Sequence, residues 1–304
     1  MGISYPSDVF CVGSEESWVS WSMPSSDRNG NGSAVQKVER ARHHLECFQA
    51  EIHEFLEGHP KPYEVIVDVE TNEAGNEVEI HRLRVLRRPP VALSVIAGDA
   101  IQNARAALDH LVFQASTAHT ATMSKDQQRE VGFPIARLVR DFDPRQISAV
   151  APEVGTFIQG LQPYHAKDPD RHPLLRLRDL SNIDKHRTLH LMFAEVAAVA
   201  LFPGRQMKWP VRLSAPGVGS GQRLLEDGAV ITTAVRETPG KMQVNPSATL
   251  HIRFAEPRNT WHARGAAGLI REIVDFVDSQ VVTPCLALIG DGHSDHPPIS
   301  PVEG

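Results

Sequence analysis

The stretch Gly98-Asp-Ala-Ile-Gln-Asn-Ala-Arg-Ala-Ala-Leu-Asp-His110 decides the fold of this chain. At about 100° per residue, an α-helix places the apolar side chains in and just after this stretch on one face: Ile101, Ala104, Leu108, Leu111 and Val112. Asp99, Asn103 and His110 fall within about 40° of one another on the opposite face. These polar side chains are short, whereas a solvated helix face is normally rich in long charged residues. Because an unpaired buried polar group costs about 1–3 kcal/mol, the stripe predicts either a buried hydrogen-bond network or a functional site.

Composition and charge are those of an ordinary soluble globular protein. The chain has 304 residues, of which 41% are hydrophobic and 22% are charged, so a substantial core is expected. The net charge of −6 argues against a protein that coats nucleic acid. Two segments are nevertheless basic: residues 81–88 hold four arginines and no acid, and residues 171–187 hold five basic residues and two acidic ones. They predict either a local anion site or solvated arginines.

Cysteine usage and hydrophobicity favour a cytoplasmic location. Cys11, Cys47 and Cys285 are far apart and odd in number, which predicts neither a disulfide framework nor a zinc–thiolate site. The N-terminus lacks the basic and apolar regions of a signal peptide. No stretch approaches the roughly 18 continuous apolar residues that cross a bilayer.

Apolar residues at helical spacing predict four long helices, at 34–57, 91–118, 173–192 and 262–282. Ser33 is the predicted N-cap of the first helix. Pro89 and Pro90 precede the second, since proline is tolerated where a helix begins. Residues 119–170 predict short helical and irregular segments.

Alternating hydrophobicity predicts strands between these helices. Tyr63–Glu70 and 78–86 form a predicted hairpin around a turn at Asn72–Asn76, with a bulge near His81. Further strands are predicted at 196–202, 208–213, 230–235 and 248–254, in an antiparallel sheet of three to five strands. The predicted fold class is α+β, with a bundle of about four long helices packed beside an antiparallel sheet. We expect one domain at 34–288, a partly disordered arm at 1–33 and a disordered tail at 289–304.

The first candidate site combines Arg105, Asp109 and His110 with Asn103. The Arg-x4-His spacing resembles the Arg-x4-6-His motif of HEPN-type ribonucleases, which are helical bundles. The resemblance implies metal-independent RNA cleavage, with Arg105 holding phosphate and His110 acting as general acid or base. On a straight helix, however, Arg105 and His110 point about 140° apart. They would therefore share a site only near a helix end, at a kink or across a homodimer interface.

Four motifs together resemble a group of bacterial and phage proteins. They are the helix Gly98–His110, Phe133-Pro-Ile135, Leu161-Gln-Pro-Tyr164 and Asn182-Ile-Asp-Lys-His-Arg187. The resemblance covers residues 91–190 and implies a bacterial or phage source, but it implies no activity.

The second candidate site is a metal site on the predicted third helix. Asp179, Asn182, His186 and His190 lie within about 80° of one another on an ideal helix. His186 and His190 have the spacing with which one helix supplies two metal ligands. A carboxylate or histidine of the neighbouring helix, Asp99 or His110, would complete the set.

Three functional hypotheses follow. In the first, the protein is an RNA-cleaving or RNA-binding defence or regulatory protein without a cofactor, in which Asn103, Lys185, His186 and Arg187 contact RNA. In the second, it is a non-catalytic binding or scaffold protein, and the same polar residues form a structural network that includes Asp99, Asn182 and Asp184. In the third, His186 and His190 bind a metal. Dimerisation is expected only with the first.

Overall fold

The computed structural model describes residues 32–203, 211–214, 224–236, 244–255 and 265–291. The predicted arm up to residue 31, the beginning of the strand predicted at 208–213, the beginning of the helix predicted at 262–282 and the tail beyond residue 291 lie outside these residues. Within them, the chain is a mixture of helices and antiparallel strands, which confirms the α+β class.

Seven helices lie in the described part of the chain: α1 (Gly32–Glu57), α2 (Val91–His119), α3 (Lys125–Glu130), α4 (Pro152–Gly160), α5 (Pro173–His186), α6 (Ala266–Phe276) and α7 (Thr283–Asp291). The first two long helices agree with the predicted ranges, although α1 includes Ser33 instead of beginning after it. Pro90 is the N-cap of α2. Short 3₁₀ turns connect α3, α4 and α5.

The third and fourth predicted helices end at different places from those expected. The predicted helix 173–192 ends at His186, because Arg187 is extended and strand pairing begins at Leu191. The last helix continues beyond residue 282 to Asp291 through a π-helical turn at 277–282. Pro284 follows this turn directly and is the second residue of α7.

The strands form two antiparallel sheets instead of one. They are β1 (Tyr63–Thr71), β2 (Glu77–Val85), β3 (Leu191–Pro203), β4 (Val211–Ser214), β5 (Leu224–Leu225), β6 (Val230–Arg236) and β7 (Val244–Phe254). One sheet has the order β1-β2-β6-β4 and the other the order β5-β3-β7. Sequence patterning predicted a strand at each of these places except β5. The division of the strands between two sheets depends on pairing between distant segments.

The predicted hairpin is confirmed as β1 and β2, which pair from Tyr63↔Val85 to Thr71↔Glu77. The Asn72 side chain closes the turn by accepting hydrogen bonds from the backbone N–H groups of Ala74 and Asn76. Gly75 has a φ of 79°, which a residue with a side chain rarely adopts. The irregularity predicted near His81 is present, but it shifts the pairing of β2 with β6 and leaves the hairpin register intact.

Two apolar clusters form the core. The larger lies among the helices and includes Phe48, Leu108, Leu111, Phe133 and Ile270, all with no exposed surface. The smaller lies at the sheets and joins residues of β2, β3, β5, β6 and β7. Ile52 and Phe55 of α1 contact both clusters. α2 contacts α1, α5 and α6, and it therefore lies at the centre of the helical layer.

Stability should fall in mild acid because of His172, which caps α5. The neutral Nδ1 atom of this residue accepts a hydrogen bond from the Leu174 N–H at 3.3 Å, and burial lowers the pKa of the ring. The unfolded chain, with an ordinary histidine pKa near 6.5, takes up the proton first. The contribution of His172 is therefore complete above about pH 6.5 and is lost as the pH falls toward the lowered pKa of the folded state.

His172→Asn tests this prediction, since asparagine keeps a cap acceptor and does not titrate. We expect the free energy of unfolding, measured in urea between about pH 7 and pH 5, to depend less on pH in the variant. The pKa values of His44 and His81 are also lowered by burial. These two histidines contribute equally to the pH dependence of the free energy of unfolding in both proteins, so the variant keeps part of that dependence. Equal slopes would contradict the assignment.

Candidate functional site

The polar stripe of α2 that contacts α5 and the segment Phe133–Ala136 is different from the one predicted. Gly98, Gln102, Arg105 and Asp109 lie within about 60° of one another at 100° per residue. They border the apolar face of α2 and are directed at α5 and at the segment Phe133–Ala136. This stripe contains two of the predicted site residues, Arg105 and Asp109, and joins them to two that were not predicted.

Arg105 and Asp109 hold the backbone of Phe133. The Arg105 guanidinium donates to the Phe133 carbonyl at 2.9 Å and to the Asp109 carboxylate at 2.9 Å. The same Asp109 oxygen, Oδ1, accepts from the Phe133 N–H at 3.0 Å. The Arg105 side chain is only 18% exposed, and that of Asp109 is 40% exposed. A guanidinium and a carboxylate thus satisfy both backbone groups of one core residue.

The next residues of this segment are held in the same way. Gln162, which is 1% exposed, accepts from the Ala136 N–H at 2.9 Å and donates to the carbonyls of Pro134 and Ile158 at 2.8 and 3.1 Å. Arg178 of α5 donates to the Ile135 carbonyl at 3.4 Å. We call Arg105, Asp109, Gln162 and Arg178 the backbone clamp. It binds a segment that has no regular partner strand or helix, where unpaired buried peptide groups would be costly.

A second set of contacts joins α2 to α5 one to two turns before the clamp. The Asp184 carboxylate lies against Gly98, where a Cβ atom would come within 2.8 Å of the carboxylate carbon. Gln102 donates to Asp184 Oδ2 at 2.9 Å and to the Ser181 carbonyl at 3.0 Å, and it accepts from the Ser181 hydroxyl at 3.1 Å. Gly98 therefore permits the close approach of α5, and Gln102 fixes its register.

The predicted stripe of Asp99, Asn103 and His110 is not a buried network. Asp99 is exposed, and Asn103 and His110 are half-buried. Asn103 donates to the Asp99 carbonyl at 2.8 Å and accepts from Lys37 of α1 at 3.3 Å. The His110 ring forms no hydrogen bond with any residue that the structure describes. The stripe borders solvent, so its polar groups need no buried partners.

The basic end of α5 is far from His110. Asn182, Lys185, His186 and Arg187 are exposed, at or just after the C-terminal end of α5. Asp184 contacts Gly98, which precedes His110 by 12 residues, or about 18 Å along a helix that rises 1.5 Å per residue. Arg105 and His110 also keep the wide angular separation of a regular helix, because α2 is continuous through both. One chain therefore does not bring the basic end of α5 to His110.

The geometry expected for a metal site is wrong. His190 follows α5 by four residues and does not share a helical face with His186. Within residues 32–203, 211–214, 224–236, 244–255 and 265–291, no group of three or more histidine, cysteine or acidic residues is arranged to hold a metal ion.

Sequence reasoning missed Gln102, Gln162 and Arg178. A signal for Gln102 was present, since Gly98, Gln102, Arg105 and Asp109 repeat at intervals of four and three residues along one stripe. Gln162 lies within the Leu161–Tyr164 motif and Arg178 within a basic segment, but neither position has a periodic partner. Their contacts with residues 134–136 depend on the path of the irregular segment.

One helical segment has the length and composition of a membrane span. Residues Ala266–Gly290 include a window of mean hydropathy 1.5. Ile270, Ile273 and Val281 of this segment are buried in the helical core. The cores of soluble proteins contain helices with the same properties, so the segment is weak support for a membrane location.

Comparison with known proteins gives no relative from which a function can be transferred. No protein-family model matches the chain, and neither the curated proteins nor the solved structures contain a match.

Proposed function

We propose that this chain is a non-catalytic binding or scaffold protein, in which its conspicuous polar motifs serve the fold. The observation that carries the proposal is the use of Arg105 and Asp109 to hold both backbone groups of Phe133. All four motifs contribute to the clamp or to its neighbouring contacts: Arg105 and Asp109 from the first, the backbone of the second, Gln162 from the third and Asp184 from the fourth. Each motif therefore supplies at least one group with a structural contact.

A phosphate-binding role for Arg105 conflicts with these contacts. To reach a phosphate, the guanidinium would have to leave the Phe133 carbonyl and the Asp109 carboxylate. Hydrogen bonds that involve a charged group contribute about 1.5–3 kcal/mol each, and the buried carbonyl would lose its partner. RNA would have to compensate for both losses before it gained any affinity. Arg105 is therefore better suited to the fold than to a mobile ligand.

Metal-independent RNA cleavage is the competing hypothesis. It requires Arg105 and His110 of two chains to meet, so it is tied to a homodimer and to RNA contacts by Asn103, Lys185, His186 and Arg187. Its resemblance to HEPN-type ribonucleases is a matter of spacing alone. The cytoplasmic location and the bacterial or phage source expected from the sequence stay parts of the broader proposal. So does a four-helix bundle beside the sheets, since buried networks between helices specify one packing arrangement.

An RNA cleavage assay separates the two hypotheses. Wild-type protein, His110→Ala and His119→Ala are incubated with structured and unstructured RNA in the presence of EDTA, and melting temperatures are recorded for each. We expect no cleavage by any of the three proteins. His119 is the control because it is an exposed histidine at the end of the same helix. Cleavage by wild type and His119→Ala that disappears in a folded His110→Ala would overturn the proposal.

Sedimentation velocity at micromolar concentration adds an independent test of the competing hypothesis. The nuclease arrangement needs a dimer, whereas the structural role of the clamp is complete within one chain. A monomer that lacks nuclease activity would agree with the proposal on both counts.

A further inference from the structure

Strand β1 is the open edge of the first sheet. It has nine residues and lies at one end of the order β1-β2-β6-β4, so β2 is its only partner among the strands that the structure describes. It contains no proline, lysine or bulge, the features that usually keep such an edge from pairing with another chain. An edge of this length is able to accept a further strand.

The outward backbone groups of this edge belong to its valines. The Leu86 N–H donates to the Pro62 carbonyl at 2.8 Å, so this pair bonds across the hairpin. The direction of the backbone groups alternates along an antiparallel strand, and those of Val65, Val67 and Val69 therefore point away from β2.

The backbone of Leu83 supports this alternation. Leu83 lies opposite Val65 and bonds to residues 228 and 229, on the other side of β2. Outside the hairpin, Val65, Val67 and Val69 form no hydrogen bond with any residue that the structure describes. Their N–H and C=O groups are therefore available to an added strand.

The valine side chains form one row on β1. We call Val65, Val67 and Val69 the valine row. Val65 packs against the smaller apolar cluster, whereas Val67 and Val69 are 46% and 62% exposed. A neighbouring strand with apolar side chains on this face would cover the two exposed valines.

Acidic side chains dominate the opposite face of β1. Glu64, Asp68 and Glu70, which we call the acidic row, are exposed. Residues 62–80 contain six acidic residues and no lysine, arginine or histidine. Arginines of β2 pair with the first two members of the row, but Glu70 has no basic partner in the described part of the chain.

These charges disfavour a second copy of the chain at the edge. Antiparallel self-pairing centred on Val67 would place Glu64 opposite Glu70 of the second copy. A shift of two residues in either direction would place Glu64 opposite Asp68, or Asp68 opposite itself. Like charges directly opposite each other destabilise a strand pair.

The ends of the chain outside the described residues have the same sign of charge. Residues 1–31 contain four acidic residues and one basic residue, and residues 292–304 contain two acidic residues and no lysine or arginine. Neither end offers the positive charges that the acidic row would attract.

We propose that the β1 edge binds an extended segment of another protein by strand addition. Basic side chains of that segment face the acidic row, and its apolar side chains lie beside the valine row. The inference rests on the proposed binding function and names the kind of partner.

The probe is the peptide Thr-Lys-Val-Arg-Val-Thr-Val-Lys-Thr, labelled with fluorescein and titrated with the full chain while fluorescence anisotropy is recorded. In the antiparallel orientation, its valines lie opposite the valine row and its basic residues opposite the acidic row. We expect it to bind about tenfold more tightly than the same peptide with glutamate at the three basic positions.

N-methylated peptides separate strand addition from general attraction between charges. Methylation of the three valine nitrogens removes the N–H groups that would bond to β1, whereas methylation at the three basic residues alters N–H groups that point away. We expect the first peptide not to bind and the second to bind. The two peptides have the same charge and composition, so attraction between charges alone would not distinguish them.

Variants of the protein locate the peptide. Val67→Pro should abolish binding, because it removes an outward N–H without breaking a bond to β2, and proline is tolerated at such a position of an edge strand. Glu70→Gln should weaken binding about threefold. Glu73→Gln is the matched control, since Glu73 is exposed in the turn beyond β1 and the change in net charge is the same. Melting temperatures show whether each variant is folded.

Each result supports or overturns the proposal. Absence of peptide binding, or equal binding of the two N-methylated peptides, would overturn strand addition. Equal binding of the basic and the glutamate peptides would overturn the preference for a basic partner. A dimer in sedimentation velocity that Val67→Pro converts to a monomer would show that a second copy occupies the edge. RNA cleavage that depends on His110 would overturn the proposed function and leave the peptide result unaffected.

Discussion

Asp109→Ala should lower the free energy of unfolding by about 2–4 kcal/mol, because it removes two charge-assisted hydrogen bonds at once. The Phe133 N–H loses its acceptor, and the Arg105 guanidinium, with 18% of its side chain exposed, loses its counterion. The range stays below that for a fully buried ion pair because the Asp109 side chain is 40% exposed. Urea denaturation measures the change directly.

Asp126→Ala is the matched control for this loss. Asp126 also pairs with an arginine, Arg129, but the side chains are 89% and 80% exposed. Such a pair contributes less than about 1 kcal/mol. Arg105→Ala and the double variant complete a thermodynamic cycle, in which we expect the two losses to be far from additive. If Asp109→Ala had wild-type stability, the clamp would not be structural, and a functional role for this helix would gain support.

Gly98→Ala should destabilise the protein by about 1–3 kcal/mol, although alanine favours a helix by about 1 kcal/mol relative to glycine. The new methyl group would overlap the Asp184 carboxylate. That carboxylate is held by Gln102 at 2.9 Å, so moving it breaks a hydrogen bond between α2 and α5. Steric overlap therefore outweighs the gain in helix propensity.

The Asp184→Ala background reveals whether the overlap is the cause. With the carboxylate absent, Gly98→Ala should become neutral or stabilising, because only the helix propensity term is left. Gly160→Ala offers a second control, since a Cβ atom at Gly160 would meet nothing within 4 Å. If Gly98→Ala destabilised both backgrounds equally, the contact with Asp184 would not be responsible.

The apolar face of α2 was predictable from the sequence. Ile101, Ala104, Leu108, Leu111 and Val112 recur at helical spacing, and each is at most 1% exposed in the structure. The angular separation of Arg105 and His110 was equally predictable, since it follows from helix geometry alone. Helix geometry alone did not determine which of the two polar stripes of α2 packs against α5 and which borders solvent.

The ends of the third and fourth helices show the same limit. Residues 187–190 continue a helix-compatible pattern, but pairing of β3 with β7 begins at Leu191 and accepts only an extended chain. Beyond residue 282, where the predicted helix ends, α7 continues from the π-helical turn, and Val281, Val282 and Cys285 lie in the core. Tertiary burial outweighed local preference at both places.

The sequence by itself determined the α+β class, the positions of α1 and α2, the β1–β2 hairpin and the apolar face around which the helices pack. These features depend on periodicity within a short segment, which local geometry converts directly into faces. Only the tertiary structure decided that Arg105 and Asp109 bind the backbone of Phe133, that Gln102 meets Ser181, and that Asp99 is exposed. A polar side chain is satisfied by whichever donor or acceptor folding brings near, and here the partners lie 24 to 79 residues away in the chain.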